Sequence, residues 1–228
     1  SIITRHNNQH TAVRFSMLDL KNKTLDNFKA VLFDLDGTLV DSERIHALSI
    51  QKILKREGLD ISARKIENDF LGLPDNLVYE KIYIEKCYPF KKTPLIQTEH
   101  DFFSLKNSYC IEFIETMDEE HFKELLQKNI YSFLETLKSK SLKCGVVSAS
   151  ESEVVHSTLK KANILHFFDS VTPRLSNAPN KPHPYPYQMA MKKLKVLPSE
   201  TLIFEDSPTG LKAAKSSGAV VIKVENFI

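Results

Sequence analysis

The chain has 228 residues, with 31 Lys and Arg against 29 Asp and Glu, a formal net charge of +2 that is too even to point to nucleic acid or an anionic membrane. A hydrophobic fraction of 42% beside 26% charged residues is ordinary globular composition, which excludes disordered and fibrous classes. The longest wholly apolar runs are strand-length, far short of the ~18 residues a spanning helix needs, and no basic-then-apolar leader is visible, so a soluble, cytoplasmic protein is expected.

Residues 1–28 are polar and without periodicity, an N-terminal arm in this reading. Ala30 to Asp34 is a short apolar run closed by an acid and then by Asp36-Gly37, the pattern of a buried strand entering a tight turn. From about 42 to 117 no convincing strand occurs. Amphipathic runs such as His46 to Glu57 and Asp75 to Lys86 read there as helices of an insertion, a cap over the strand ends. Further on, helical stretches at about 119–140, 151–162, 186–196 and 208–217 separate apolar runs at Leu142–Ser148, Phe168–Thr172, Thr201–Phe204 and Ala219–Val224. Strand and helix in alternation predict an α/β fold: a Rossmann-like, doubly wound parallel sheet core (29–41 and 118–228) with an inserted α-helical cap domain (42–117).

Only six glycines occur where average usage would give about sixteen, so each is expected to answer a backbone requirement. Gly210 reads as a close-packing position of the last helix and Gly218 as that helix's stop. Five of ten prolines crowd residues 173–186, which must be loop. Cys87, Cys110 and Cys144 are an odd, scattered set that fits neither a disulfide framework nor a zinc knuckle.

Ligands of open α/β sheets bind beyond the carboxyl ends of the strands, so the residues that close the strands matter most. The first strand ends in Asp34-Leu35-Asp36-Gly37-Thr38, the second in Ser148-Ala149-Ser150, the fourth in Glu205-Asp206-Ser207, and the proline-rich loop carries Lys181. Acidic groups converging from separate strands repel each other unless a cation lies between them, and oxygen-only ligands imply Mg²⁺. A hydroxyl, an ammonium and such a metal make a site for a phosphate dianion, so the expected chemistry is phosphoryl transfer.

In order and spacing, the strings from Phe33 to Ser42, from Val146 to Ser148, at Lys181-Pro182 and from Phe204 to Ala214 resemble the haloacid dehalogenase-like hydrolase superfamily. Within it the chain is similar to subfamily I, whose helical C1 cap follows the first motif, the branch of β-phosphoglucomutases and phosphoglycolate phosphatases; the resemblance covers about residues 29–225. It implies that Asp34 is the nucleophile, giving an aspartyl phosphate, and that Asp36 is the acid/base. Ser148 and the amide of Ala149 would hold the phosphate, with Gly37 and Thr38 of the first loop also at the substrate, while Lys181 would offset charge on Asp34 and the phosphoryl oxygens. Mg²⁺ would be bound by Asp34, the backbone carbonyl of Asp36 and Asp206, with Glu205 as a further ligand or as a group behind the ligands.

Within that branch, His46 falls where the mutases carry a histidine that assists proton transfer, and Phe70-Leu71-Gly72-Leu73-Pro74-Asp75 falls where they carry a specificity loop. Asp75 replaces their phosphate-binding arginine. An acid there is expected to repel a second phosphate and to favour a hydroxylated or cationic remote end. The function implied is a Mg²⁺-dependent phosphatase of small phosphomonoesters such as sugar phosphates, acting as a monomer, with a β-phosphoglucomutase-like phosphomutase as the alternative. Asp41 reads as a cap or anchor of the first insertion helix. Tyr185, where the family often has an acid, predicts a weaker start to the helix that follows.

Overall fold

A computed structural model of the chain describes residues 25–70, 73 and 75–224. In chain order its first elements are β1 (Ala30–Phe33), α1 (Glu43–Arg56), α2 (Ala63–Phe70), α3 (Asp75–Tyr79) and α4 (Glu99–Thr116). They are followed by α5 (Glu119–Glu124), α6 (Ile130–Ser139), β2 (Lys143–Val147), α7 (Ser152–Lys161) and β3 (Ser170–Thr172). The chain closes with α8 (Tyr185–Leu194), β4 (Thr201–Glu205), α9 (Pro208–Ser216) and β5 (Val220–Lys223).

The strands form one parallel sheet in the order β3-β2-β1-β4-β5, the doubly wound α/β core expected from the alternation. Side chains of β1 alternate between faces. Val31 and Phe33 join an apolar cluster with Phe133, Leu134, Val155 and Leu159 of α6 and α7. Ala30 and Leu32 join the opposite one with Tyr187, Ala190, Met191 and Ala213 of α8 and α9. Phe33 stacks on Phe204 (ring centroids 5.2 Å) and meets Phe133 edge-on. The register sets Phe33 beside both Val146 and Phe204, so β1, β2 and β4 end at one level and deliver Asp34, Ser148 and Glu205 to one edge.

Helices α1 to α4 close round their own apolar cluster, which includes Ile53, Leu54, Ile66, Val78, Ile82 and Phe102. Ile45 near the start of α1, and Cys110 and Ile114 near the end of α4, belong instead to the sheet cluster. The helices leading into and out of the insertion are therefore rooted in the core. Among the described residues no helix is long and apolar enough to cross a membrane.

Three expectations are corrected. The helix over 119–140 is two helices, because residues 125–127 pair with 39–41 instead: the Asp41 amide donates to Leu125 O (2.7 Å) and the Gln127 amide to Leu39 O (2.9 Å), and Asn129 turns left-handed (φ 63°). The run from Asp75 to Lys86 is α3 continuing as a π-helical turn, Glu80–Ile84. Of the expected arm, residues 1–24 lie outside the described residues, but Leu25 and Phe28 are buried in the sheet cluster.

Candidate active site

Asp34 follows β1 directly and is buried, and Lys181 reaches its Oδ1 from the proline-rich loop. The lysine also donates to Val147 O (2.9 Å) and Glu205 Oε2 (2.7 Å), which commits all three of its protons. Glu205, the last residue of β4, is fully enclosed. Its Oε2 also accepts from the Tyr187 hydroxyl (2.7 Å), and its Oε1 accepts from the Asp206 and Ser207 amides (both 3.1 Å) and the Ser207 hydroxyl (3.0 Å). Asp206 Oδ1 takes the Thr38 hydroxyl at 2.8 Å.

Two glycines exist for these acids. A Cβ on Gly37 (φ +83°) would lie 2.2 Å from Asp206 Oδ2, and one on Gly210 would lie 1.8 Å from Glu205 Oε2, so both positions must be bare. Ser207 caps α9 through its hydroxyl, which accepts from the Gly210 amide (3.0 Å).

Asp34, Glu205 and Asp206 bring carboxylate oxygens within 4.8 Å of one another. Burial and the neighbouring Glu205 push Asp34 well above the usual carboxylate range, against the pull of Lys181. Burial, helped by Glu205 and opposed by the Thr38 hydroxyl, raises Asp206 to about 6. Three acids facing one ammonium are short of positive charge, and a hard cation with oxygen ligands fits that donor set.

Asp36 turns the other way. Its Oδ1 accepts from the Ser42 hydroxyl (2.5 Å) and lies 3.5 Å from His46 Nε2, while its Oδ2 accepts from the hydroxyls of Ser150 (2.8 Å) and Ser148 (3.3 Å). Burial raises the pKa of Asp36, but His46 and the Ser42 and Ser150 hydroxyls outweigh it and hold the carboxyl well below its usual range. For His46, burial and the Lys106 ammonium oppose protonation, yet Cys110 and Asp36 prevail and its pKa is pushed up to about 10. The proton of this pair therefore rests on the imidazole.

The structure thus gathers Asp34, Lys181, Glu205 and Asp206 in one group, and Asp36, His46 and Ser148 in the next. Ala149 stands exposed past β2, and its amide has no partner among the described residues. Thr38, expected at the substrate, is fully enclosed with its hydroxyl spent on Asp206. Asp75 does not present a bare charge: Lys106 Nζ donates to its Oδ1 at 2.6 Å. Leu71, Gly72 and Pro74 of the expected specificity loop lie outside the described residues. Asp41 anchors its loop through its amide, and the cap position of α1 is Ser42, whose hydroxyl goes to Asp36. The start of α8 is not bare, because His183 Nδ1 accepts from the Tyr185 amide at 3.1 Å.

Sequence reasoning missed Ser42, Ser150 and Lys106. The two serines stood inside strings already singled out. Lys106 carried a subtler signal, a charge in the stripe Phe102, Lys106, Cys110, Ile114 that α4 buries.

The sequence profile described as haloacid dehalogenase-like hydrolase matches residues 31–224. The chain is similar to pyrophosphatase PpaX of Oceanobacillus iheyensis, 27% identical over 213 residues, 89% of this chain and 88% of that protein. It is similar to the phosphoglycolate phosphatase of Aquifex aeolicus, 27% identical over 195 residues, 83% of this chain and 81% of that one. The crystal structure of β-phosphoglucomutase from Clostridium difficile superposes with a TM-score of 0.69 at 25% identity, covering 88% of this chain and 86% of that one.

Proposed function

This chain belongs to the haloacid dehalogenase-like hydrolase family and is a phosphoric monoester hydrolase, and on that premise we propose that it hydrolyses small phosphomonoesters through an aspartyl phosphate on Asp34, with Mg²⁺. The observation that carries the reading is the division of labour between two aspartates two residues apart: Asp34 lies among Lys181 and the acidic cluster, Asp36 among hydroxyls and an imidazole.

Asp34 and Asp206, with the backbone carbonyl of Asp36, would hold the metal. When bound, Mg²⁺ neutralises the acidic cluster and the phosphoryl oxygens. Glu205 stands behind, because both its oxygens are already engaged in fixing Lys181, Tyr187 and the start of α9. Lys181 aims and discharges Asp34, whose carboxylate oxygen attacks phosphorus as the ester P–O bond breaks. The leaving oxygen takes the proton of the Asp36–His46 pair, and the pair recovers one from the water that then opens the aspartyl phosphate. Ser148 and the Ala149 amide would receive phosphoryl oxygens. Residues 42–117 would act as the cap that selects the alcohol portion, and small phosphorylated metabolites are the substrates. The experiment is phosphate release from a panel of phosphorylated metabolites, combined with acid trapping of the enzyme during turnover. A base-labile phosphoryl group on wild type and none on Asp34→Asn is expected; turnover by Asp34→Asn at the wild-type rate would refute the nucleophile.

A phosphomutase is the second reading, and the His46–Asp36 contact favours it, since a stored proton can be returned to the same alcohol. Isomerised product that depends on an added bisphosphate would establish it over hydrolysis.

A further inference from the structure

Cys110 of α4 is fully enclosed, and the reaction proposed above leaves its thiol without a role. Cys144 is buried as deeply, yet among the described residues its sulfur meets a carbonyl alone, Leu142 O at 3.8 Å. The Cys110 sulfur instead lies 3.5 Å from His46 Nδ1 and accepts from the Ser49 hydroxyl at 3.2 Å. His46 and Ser49 stand three residues apart on α1, a spacing that sets them on one face of the helix, and the sulfur reaches both from α4. The Ser49 hydroxyl also lies 2.8 Å from Ile45 O, so its single proton is shared. Ile45 and Cys110 both belong to the sheet cluster, which places this contact in the part of the insertion rooted in the core.

The two ring nitrogens of His46 face different groups: Nδ1 the Cys110 sulfur, and Nε2 the Oδ1 of Asp36 at 3.5 Å. A half-turn of the ring about its Cβ–Cγ bond would set carbon atoms at both places, and carbon cannot carry the proton. Asp36 holds the ring only loosely, because 3.5 Å is long for a hydrogen bond and its oxygens already accept from Ser42, Ser148 and Ser150. The orientation is selected from the other side, at Nδ1. A thiol suits that place, since it can accept from an Nδ1–H or donate to a bare Nδ1, and so holds the ring charged or neutral. We infer that Cys110 is a positioning residue for the acid/base pair: its sulfur, backed by Ser49, holds Nδ1 of His46 and thereby keeps Nε2 turned to Asp36. This rests on the phosphatase reading above. Among the described residues Cys110 makes no hydrogen bond to Asp34, Lys181 or Asp206, so its loss should reach turnover and not binding.

The test measures kcat and KM on an alkyl phosphate and an aryl phosphate for wild type, Cys110→Ala, Cys110→Ser, His46→Gln and the double variant His46→Gln/Cys110→Ala. An alkyl alcohol needs a proton to leave and an aryl alcohol hardly does, so the ratio of kcat on the alkyl ester to that on the aryl ester reports the acid/base pair and is blind to a general loss of folded enzyme. In Cys110→Ala this ratio should fall about 3–10-fold, the size of one lost hydrogen bond, with KM within about 2-fold of wild type. Cys110→Ser supplies another group that both donates and accepts, and should recover at least half of the loss on a logarithmic scale. The double variant should have the same ratio as His46→Gln alone, because a residue that acts through the imidazole has nothing left to position. A ratio unmoved in Cys110→Ala overturns the proposal, as does a Cys110→Ser enzyme that recovers nothing or a double variant in which the two losses multiply. If the cavity left by Cys110→Ala prevents folding, Cys110→Val, which fills the space without a hydrogen-bonding atom, is measured in its place with the same outcomes. Wild type that releases phosphate from neither ester would refute the phosphatase reading and this proposal with it, whereas an active wild type with an unmoved ratio in the variant overturns the proposal alone.

Discussion

Replacing His46 with Gln removes the cation that faces Asp36. The two groups are 3.5 Å apart, with side chains 20% and 25% exposed. At an effective dielectric of about 20 their attraction is about 5 kcal/mol. The rise of the His46 pKa from 6.5 to about 10, to which Cys110 contributes ahead of Asp36 and against which burial and Lys106 act, corresponds by linkage to about 5 kcal/mol for these partners together. Because the folded pKa lies above the unfolded one, this stabilisation is fully present below about pH 6.5 and is lost as pH climbs through about 10. In urea unfolding, wild type should therefore exceed His46→Gln by ~2–5 kcal/mol more at pH 6 than at pH 10. A difference between the two proteins that does not change with pH would refute a protonated His46. The kinetic counterpart uses leaving groups. An alkyl alcohol needs the proton that His46 stores and an aryl alcohol hardly does, so His46→Gln should slow alkyl phosphates by about 10²–10⁴-fold and aryl phosphates far less. Equal losses on both would show that His46 does not serve the leaving oxygen.

Turnover of an aryl phosphate should need Mg²⁺ and cease in excess EDTA; full activity in chelator would remove the metal. The raised pKa values of Asp34 and Asp206 mean that the metal-free fold is stabilised at low pH and loses that contribution as pH rises through them, so Mg²⁺ should lift the Tm more at pH 8 than at pH 5. Asp36→Asn should slow turnover while leaving Mg²⁺ affinity near that of wild type, measured by calorimetry, whereas Asp34→Asn should weaken both; equal loss of affinity would mean that the roles are misassigned. Gly210→Ala sets a methyl 1.8 Å from Glu205 Oε2 and should destabilise by about 1–3 kcal/mol, read as a lower Tm. An unchanged Tm would show that the acid can yield.

The site was legible where chemistry coincides with a strand end. Asp34, Ser148 and Glu205 each close an apolar run, and a parallel sheet in register has no choice but to bring them together. Ser42 and Ser150 were harder to assign, because a hydroxyl beside a strand or helix end serves turns as readily as a carboxylate, and only the fold shows both on Asp36. The insertion was the opaque part. Helical periodicity predicts that α4 buries a face, but not that Lys106 of that face would meet Asp75, 31 residues away along the chain. The break at residues 125–129 escaped for a similar reason, since a pairing with residues 39–41 leaves no local trace in an amphipathic run.

Glu205 ties together three separate stretches of chain: the turn from its own strand into α9, which it holds through Ser207, the lysine loop through Lys181, and α8 through Tyr187. Substitution at this position cannot be graded as chemistry lost with architecture kept. Even the nearly isosteric glutamine would turn one acceptor into a donor that faces other donors. Variants altered at Glu205 should be cleared from the folded pool before their activity can be assayed. The burden on this acid is architectural, because each of its oxygens is held by more than one donor.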